Sequence, residues 1–360
     1  METAAPGRPS TDVRFFPVIF GIIHAVVDVT TVTVIFSTKF FHEIVHNDYF
    51  FLILTYDILA FSGQAVIGLI IDRFRFWFGT ALLGLALPAV AVIVLPFEPL
   101  LAAVLAGLGN ACFHVGAGAL SLYVTPGRAT APGIFVAPGV LGLALGTYLG
   151  KGGHFIAWPF LLALGICLVV ALFSRIPQVP ETKEVEKPKI NLAVLAVVLL
   201  LFSIVVRSLV GKAGTFACPK LTIVLFTVAT AAFAGKAIGG IVSDRFGWIA
   251  ISVGALLVSA PLLGVGGSNW LMVGVGMFFF QMTMPVTLVA VWSLMPRRPG
   301  LAFGLNCFAL TLGALPTYLR AVKAMYGPPA FVAMILLSAL SVYLGLRMLK
   351  GKVRMKFADG

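Results

Sequence analysis

The chain has 360 residues, 60% of them hydrophobic and only 11% charged, with a mean hydropathy of +1.07. A soluble domain carries roughly 25% charged residues, so one water-facing globule is excluded and an integral membrane protein is expected. The net charge of +12 does not require nucleic acid, because basic residues gather on the cytoplasmic loops of membrane proteins.

Windows of about 20 residues give about twelve candidate spans: 14–36, 50–71, 76–95, 100–123, 132–150, 156–174, 191–211, 219–242, 248–266, 270–295, 300–322 and 328–349. The runs are continuously apolar rather than alternating, so the expected fold is all-α. The first run is too long for a signal-peptide core and is expected to stay as the first span. Residues 175–190, with Pro177, Pro180, Pro188 and mixed Glu and Lys, read as a linker. It divides a six-helix bundle at 14–174 from a second at 191–349, with an N-terminal segment 1–13 and a tail 350–360. An N-terminus on the cytoplasmic side puts nearly three times as many Lys and Arg on that side as on the other. Both termini and the linker are therefore expected to be cytoplasmic, in the cell's inner (plasma) membrane. Cys112, Cys167, Cys218 and Cys307 form no Cys-x-x-Cys pair and read as packing residues.

Charged and polar residues inside spans cost at least ~2.5–3.5 kcal/mol and are usually paired, cavity-facing or functional. Span 1 carries His24 and Asp28 at i,i+4, on one helical face, where the carboxylate can orient the imidazole. Span 2 carries Asp57 and Gln64 two turns apart, and span 4 carries Asn110 and His114 among four glycines. Arg207, Lys236 and Gln281 lie in spans 7, 8 and 10. Buried acids thus fall in the first half and buried bases in the second, which suits a central cavity between halves.

One short pattern occurs twice. Gly68-Leu69-Ile70-Ile71-Asp72-Arg73 follows span 2, and Gly240-Ile241-Val242-Ser243-Asp244-Arg245 follows span 8, 172 residues later. A repeat of that size points to two similar halves. The pattern resembles the Gly-x-x-x-Asp-Arg loop of the major facilitator superfamily, found between helices 2 and 3 and again between helices 8 and 9. The resemblance implies two pseudo-symmetric six-helix bundles. It also implies that Gly68, Asp72, Arg73, Gly240, Asp244 and Arg245 gate conformational change rather than bind substrate.

A narrower resemblance rests on other residues. Gly107-Leu108-Gly109-Asn110-Ala111-Cys112-Phe113-His114 is similar to the Gly-x-Gly-x-x-x-Phe-His stretch of fosmidomycin-resistance-type transporters. His24-Ala25-Val26-Val27-Asp28 resembles that family's first-helix His-x-x-Asn-Asp, and Gln64 with Gly68 fits its second helix. Leu294-Met295-Pro296-Arg297-Arg298-Pro299-Gly300, with Gly304, resembles its loop before helix 11. The family continues Phe-His with Pro-Glu, whereas this chain has Val115-Gly116.

These readings imply a secondary active transporter of a small organic solute, anionic or drug-like, working by alternating access as a proton-coupled exporter. Proton coupling is expected at Asp28, His24 and Asp57. The substrate cavity is expected to draw on His114, Asn110, Gln64, Arg207, Lys236 and Gln281. One alternative is a carrier of a transition-metal ion or metal complex, using His24, Asp28, Asp57, His114 and Met282 or Met284. Another is a non-transporting receptor or assembly factor on the same scaffold. No Gly-x-x-x-x-Gly-Lys-Ser/Thr loop and no nucleophile–base set occur in the sequence. An enzyme, a cofactor and a resident metal are therefore not expected. The expected partners are the bilayer, protons and a small molecule, with no nucleic acid, and the chain is expected to act as a monomer.

Overall fold

The computed structural model describes residues 13–41, 46–177, 190–214, 222–265, 269–318 and 327–349. Residues 1–12, most of the linker (178–189), Cys218 and the tail 350–360 lie outside the described residues. Twelve helices correspond to the twelve apolar windows. In order they are α1 (Val13–Phe41), α2 (Asp48–Phe74), α3 (Trp77–Val94), α4 (Pro99–Val124), α5 (Thr130–Gly152) and α6 (Ala157–Phe173). The second half has α7 (Leu192–Lys212), α8 (Thr222–Phe246), α9 (Trp248–Val265), α10 (Trp270–Leu294), α11 (Pro299–Thr317) and α12 (Pro328–Leu349). All but the shorter α6 are long and apolar enough to cross a membrane.

Several helices overrun the windows; α1 continues through Lys39 and α2 through Asp72 and Arg73. Hydropathy sees only the hydrocarbon slab of about 30 Å, whereas a backbone already hydrogen-bonded to itself continues past it. Two helices are interrupted. A π-helical turn, Ile58–Ser62, lies inside α2, and Met282–Thr283 separate the two halves of α10. Pro285 explains the second break, since it has no N–H to give the carbonyl four residues earlier.

Packing follows a rule of six. In the first half α1 packs on α5, α3 on α4, α2 on α4 and α3 on α6. In the second half α7 packs on α11, α9 on α10, α8 on α10 and α9 on α12. The halves meet through α2 against α11 and α5 against α8, a pair of contacts that the same rule interchanges. Glycine sets both crossings. A Cβ on Gly68 would collide with the Gly300 carbonyl, and one on Gly240 would collide with that of Ala129. Outer faces keep large apolar side chains exposed, including Val66, Ile93, Val198 and Phe173, as a lipid environment requires.

Candidate functional site

The first feature is a buried cluster between α1, α4 and α5. The i,i+4 spacing on α1 brings His24 Nε2 to 3.2 Å from Asp28 Oδ2. His114 on α4 places its Nε2 2.6 Å from His24 Nε2 and 3.6 Å from Asp28 Oδ1. Asn110, one turn before His114, donates its amide to Asp28 Oδ1 at 2.7 Å and to the Thr31 hydroxyl at 3.3 Å. Thr31 in turn meets the Tyr56 hydroxyl at 3.0 Å. All six side chains are buried. A Cβ on Gly139 of α5 would strike His24 and Asp28, so the glycine is what admits the cluster.

Hydrogen-bond bookkeeping fixes the protons. His24 Nδ1 faces the Phe135 carbonyl at 3.1 Å and His114 Nδ1 faces the Asn110 carbonyl at 2.8 Å. Carbonyl oxygens only accept, so each Nδ1 carries hydrogen. Both Nε2 atoms of neutral rings would then be bare lone pairs facing each other and an ionised carboxylate. Three acceptors cannot converge without a proton among them. One proton between the two Nε2 atoms meets that need, making an imidazolium shared by two rings and balanced by Asp28. The three ligand groups also lie within 4.8 Å of one another, close enough to suggest a metal. Two nitrogens on one tetrahedral zinc ion would stand about 3.3 Å apart, so the 2.6 Å spacing fits a proton better.

The second feature is a cavity of about 310 Å³ between the halves, at the lower end of the range for small-ligand sites. Asp57, Ile58 and Phe61 of α2 and Leu143 of α5 face Arg207 of α7, Lys236 of α8, Gln281 and Thr287 of α10 and Asn306 of α11. The lining is mostly apolar, with a few polar groups. Arg207 is buried, and its guanidinium forks onto α10 at the break, donating to the Thr283 hydroxyl and, at 3.0 Å, to the Thr287 hydroxyl. Its Nε has no partner among the described residues. Among the described residues neither Arg207 nor Lys236 is ion-paired with a carboxylate. Both cations therefore face the cavity with charge to spare, which is costly at membrane depth. An anion fits there.

The third feature is a pair of latches where the halves touch. Asp72 accepts the backbone N–H groups of Gly300 and Leu301 at 2.9 and 2.8 Å, and the Trp77 indole N–H at 2.8 Å. Asp244 accepts those of Ala129 and Thr130 at 2.9 and 2.8 Å, the Thr130 hydroxyl at 2.6 Å and the Trp248 indole at 3.0 Å. Each carboxylate thus caps the N-terminus of a helix from the other half, α11 or α5, where free N–H groups and the helix dipole favour an anion. Arg73 and Arg245 are exposed, and among the described residues neither bonds to its aspartate.

Not every expected cavity residue lines it. Arg207, Lys236 and Gln281 do, while His114 and Asn110 belong to the buried cluster. Asp57, expected to share a face with Gln64, lines the cavity apart from the cluster. Gln64 is fully buried, donates to the Ala60 carbonyl at 2.6 Å and packs its backbone on Gly304. The cause is the π-helical turn between the two, which adds a residue and rotates the later part of α2 away from the face of Asp57. Sequence reasoning missed Thr283, Thr287, the Phe135 carbonyl and the two tryptophans. The tryptophans had a signal, since each loop aspartate is followed four or five residues later by Trp.

Neither a protein-family profile nor a curated protein matches this chain. Solved structures do. A variant of the E. coli fucose:proton symporter FucP aligns at TM-score 0.67 and 10% identity, over 93% of this chain and 97% of that one. FucP in the outward conformation, described as a major facilitator superfamily transporter, aligns at 0.67 and 13%, over 92% and 97%. The human organic anion transporter MFSD10 aligns at 0.66 and 15%, over 94% and 100%. At these identities the likeness speaks for fold: the chain is a multi-pass helical membrane protein with the fold of the major facilitator transporters.

Proposed function

We propose that this protein is a secondary transporter that moves a small organic anion by alternating access, coupled to protons at the His24–Asp28–His114 cluster. The observation that carries the reading is the pairing of a cluster that must hold a proton with a neighbouring cavity holding two cations unpaired with carboxylates. The mostly apolar lining suits a substrate with an apolar body and one or two acidic groups. One chain supplies the described lining of the cavity, which supports a monomer as the transporting unit. The motifs around His24 and His114 support kinship with fosmidomycin-resistance-type transporters, with Asp28 providing the carboxylate that the stretch after His114 lacks.

The excess of basic residues at the latch end supports a cytoplasmic position for that end, for both termini and for the 175–190 linker between bundles at 14–174 and 191–349. With both latches engaged, the cytoplasmic side is shut. The cavity reaches Gly211 and Lys212 at the opposite end of α7, which supports reading this as the outward-facing form. A single cysteine in the linker, labelled by an impermeant reagent only after cells are opened, tests the orientation. Purified protein in proteoliposomes tests the function: uptake of labelled organic anions should need a pH gradient and stop with a protonophore. Transport indifferent to the gradient would sink proton coupling, and selectivity for cations would sink the anion site.

A further inference from the structure

Lys236 stands between the proton cluster and the cavity. Its backbone carbonyl packs on α5 at Gly133, two residues before Phe135, whose own carbonyl orients His24. Its side chain lines the cavity and lies within electrostatic reach of Asp28, His114, Arg207 and Cys307. The titratable groups facing Asp28 are His24 on α1, Tyr56 on α2, His114 on α4, Lys236 on α8 and Cys307 on α11. At this level α5 offers only Gly139 and the Phe135 carbonyl, α3 has no titratable residue, and α6 has only Cys167. Lys236 and the ring-bound proton are therefore the positive charges that answer Asp28 most directly.

Resting on the reading of the cavity as an anion site, we propose that proton and anion travel together as symport, with Lys236 as the group that couples them. With the proton in place, Asp28 and the shared imidazolium cancel, and the Lys236 ammonium is free to serve the cavity. With the proton gone, two neutral rings flank an uncompensated carboxylate, and Lys236 is drawn to balance it. An anion entering then meets a cation already engaged and a negative charge behind it. Protonation tightens anion binding, and linkage requires the anion to tighten proton binding by the same factor. The form loaded with both and the form loaded with neither carry the same buried charge, because the anion's negative charge offsets the positive charge of the added proton. These are the forms that rock. Symport along an inward proton gradient is uptake, the reverse of the export expected from sequence.

Benzenesulfonate is a suitable probe, because it is a permanent anion that brings no proton, and benzenesulfonamide is its uncharged counterpart. Binding of each to the full-length protein in nanodiscs is measured calorimetrically, in two buffers of different ionisation enthalpy, between about pH 5 and pH 9. Symport predicts uptake approaching one proton per sulfonate bound, and binding at least about tenfold tighter (about 1.4 kcal/mol) at the acidic end. Lys236→Gln should lose the proton uptake while Arg207 still holds the anion weakly, and Lys236→Arg should keep it. Proton release on binding, or binding without proton exchange at any pH, overturns symport and leaves the anion site standing. Failure of the sulfonate to bind at concentrations on the order of millimolar, or equal binding of the sulfonamide, overturns the anion site and symport with it.

Discussion

Where the halves latch they are built alike, and midway through the bundle they are not. Asp72 and Asp244 each cap a helix of the opposite half and each hold a tryptophan indole. In the middle, the first half holds a carboxylate and two imidazoles against one another, with both Nδ1 atoms and the Asp28 carboxylate partnered and Asn110 Oδ1 left without a partner among the described residues. The second half leaves Arg207 Nε without one and sets Lys236 on the cavity wall. The difference separates two jobs. A rocking carrier must release and re-form contacts between its halves, so those parts keep the symmetry of the repeat. On the proposed function, the parts that bind proton and anion have no reason to keep it.

The largest expected effect comes from breaking the first-half cluster. In Asp28→Asn the side chain keeps its shape and can still accept a hydrogen bond, but the charge that balances the shared proton is gone. Crossing 100 mV with that proton is worth about 2.3 kcal/mol, and without a site the gradient has nothing to act on. Transport driven by a pH gradient should fall to background, while exchange at equal pH continues. Proteoliposome assays of both modes decide the point. Uphill transport equal to the parent's would move the coupling site to Asp57.

Next comes the second half. Arg207→Gln removes a cation whose fork onto Thr283 and Thr287 fixes its direction. Hydrogen bonds to charged groups are worth about 1.5–3 kcal/mol, so anion affinity should drop about ten- to a hundredfold. Arg207→Lys keeps the charge but not the planar fork, and should fall between. Unchanged affinity in Arg207→Gln would mean that the guanidinium is structural, and the contrast between the halves would lose its functional meaning.

Much of this plan was readable in the sequence. Twelve apolar runs, a 172-residue repeat and the separation of acids from bases all survive in the folded bundle, because hydropathy and helical spacing are local properties. His24 and Asp28 met because i,i+4 on a helix is a distance, not only a pattern. Gln64 shows the limit: seven residues predicted the face of Asp57, and the π-helical turn at Ile58–Ser62 changed the count. The encounter of His24 with His114 spans 90 residues and depends on how α1 crosses α4. No periodicity within either helix encodes it.

The latches test the symmetric side of the comparison. Asp72→Asn and Asp244→Asn each exchange a carboxylate that accepts on both oxygens for an amide that can accept on one. Each should slow turnover about three- to tenfold with substrate affinity unchanged, which marks a conformational step rather than a binding step. Similar slowing in the two variants supports equal duty for the two loops. A large affinity loss without slowing in either would make that loop part of the binding site. The Asp244 latch also holds the Thr130 hydroxyl, so Thr130→Val should bring it closer to its twin.

The smallest effect lies three residues after each aspartate, where both copies of the motif turn left-handed: Arg75 has φ 54° and Gly247 has φ 101°. At Arg75 the backbone N–H closes α2 onto the Ile71 carbonyl, a helix ending that glycine usually fills. A left-handed residue with a Cβ costs roughly 1–2 kcal/mol, and glycine returns roughly 0.5–1 kcal/mol of that through the freer unfolded chain. Arg75→Gly should therefore stabilise the protein by no more than about 1.5 kcal/mol. Gly247→Arg should destabilise it by more, since its φ lies further from the left-handed minimum near 57°. Thermal unfolding in detergent compares the two directly. If Arg75→Gly lowers the midpoint instead, the electrostatic interaction of the guanidinium with Tyr123 outweighs the backbone strain. The first copy of the motif would then hold its arginine for a contact that the second copy does without.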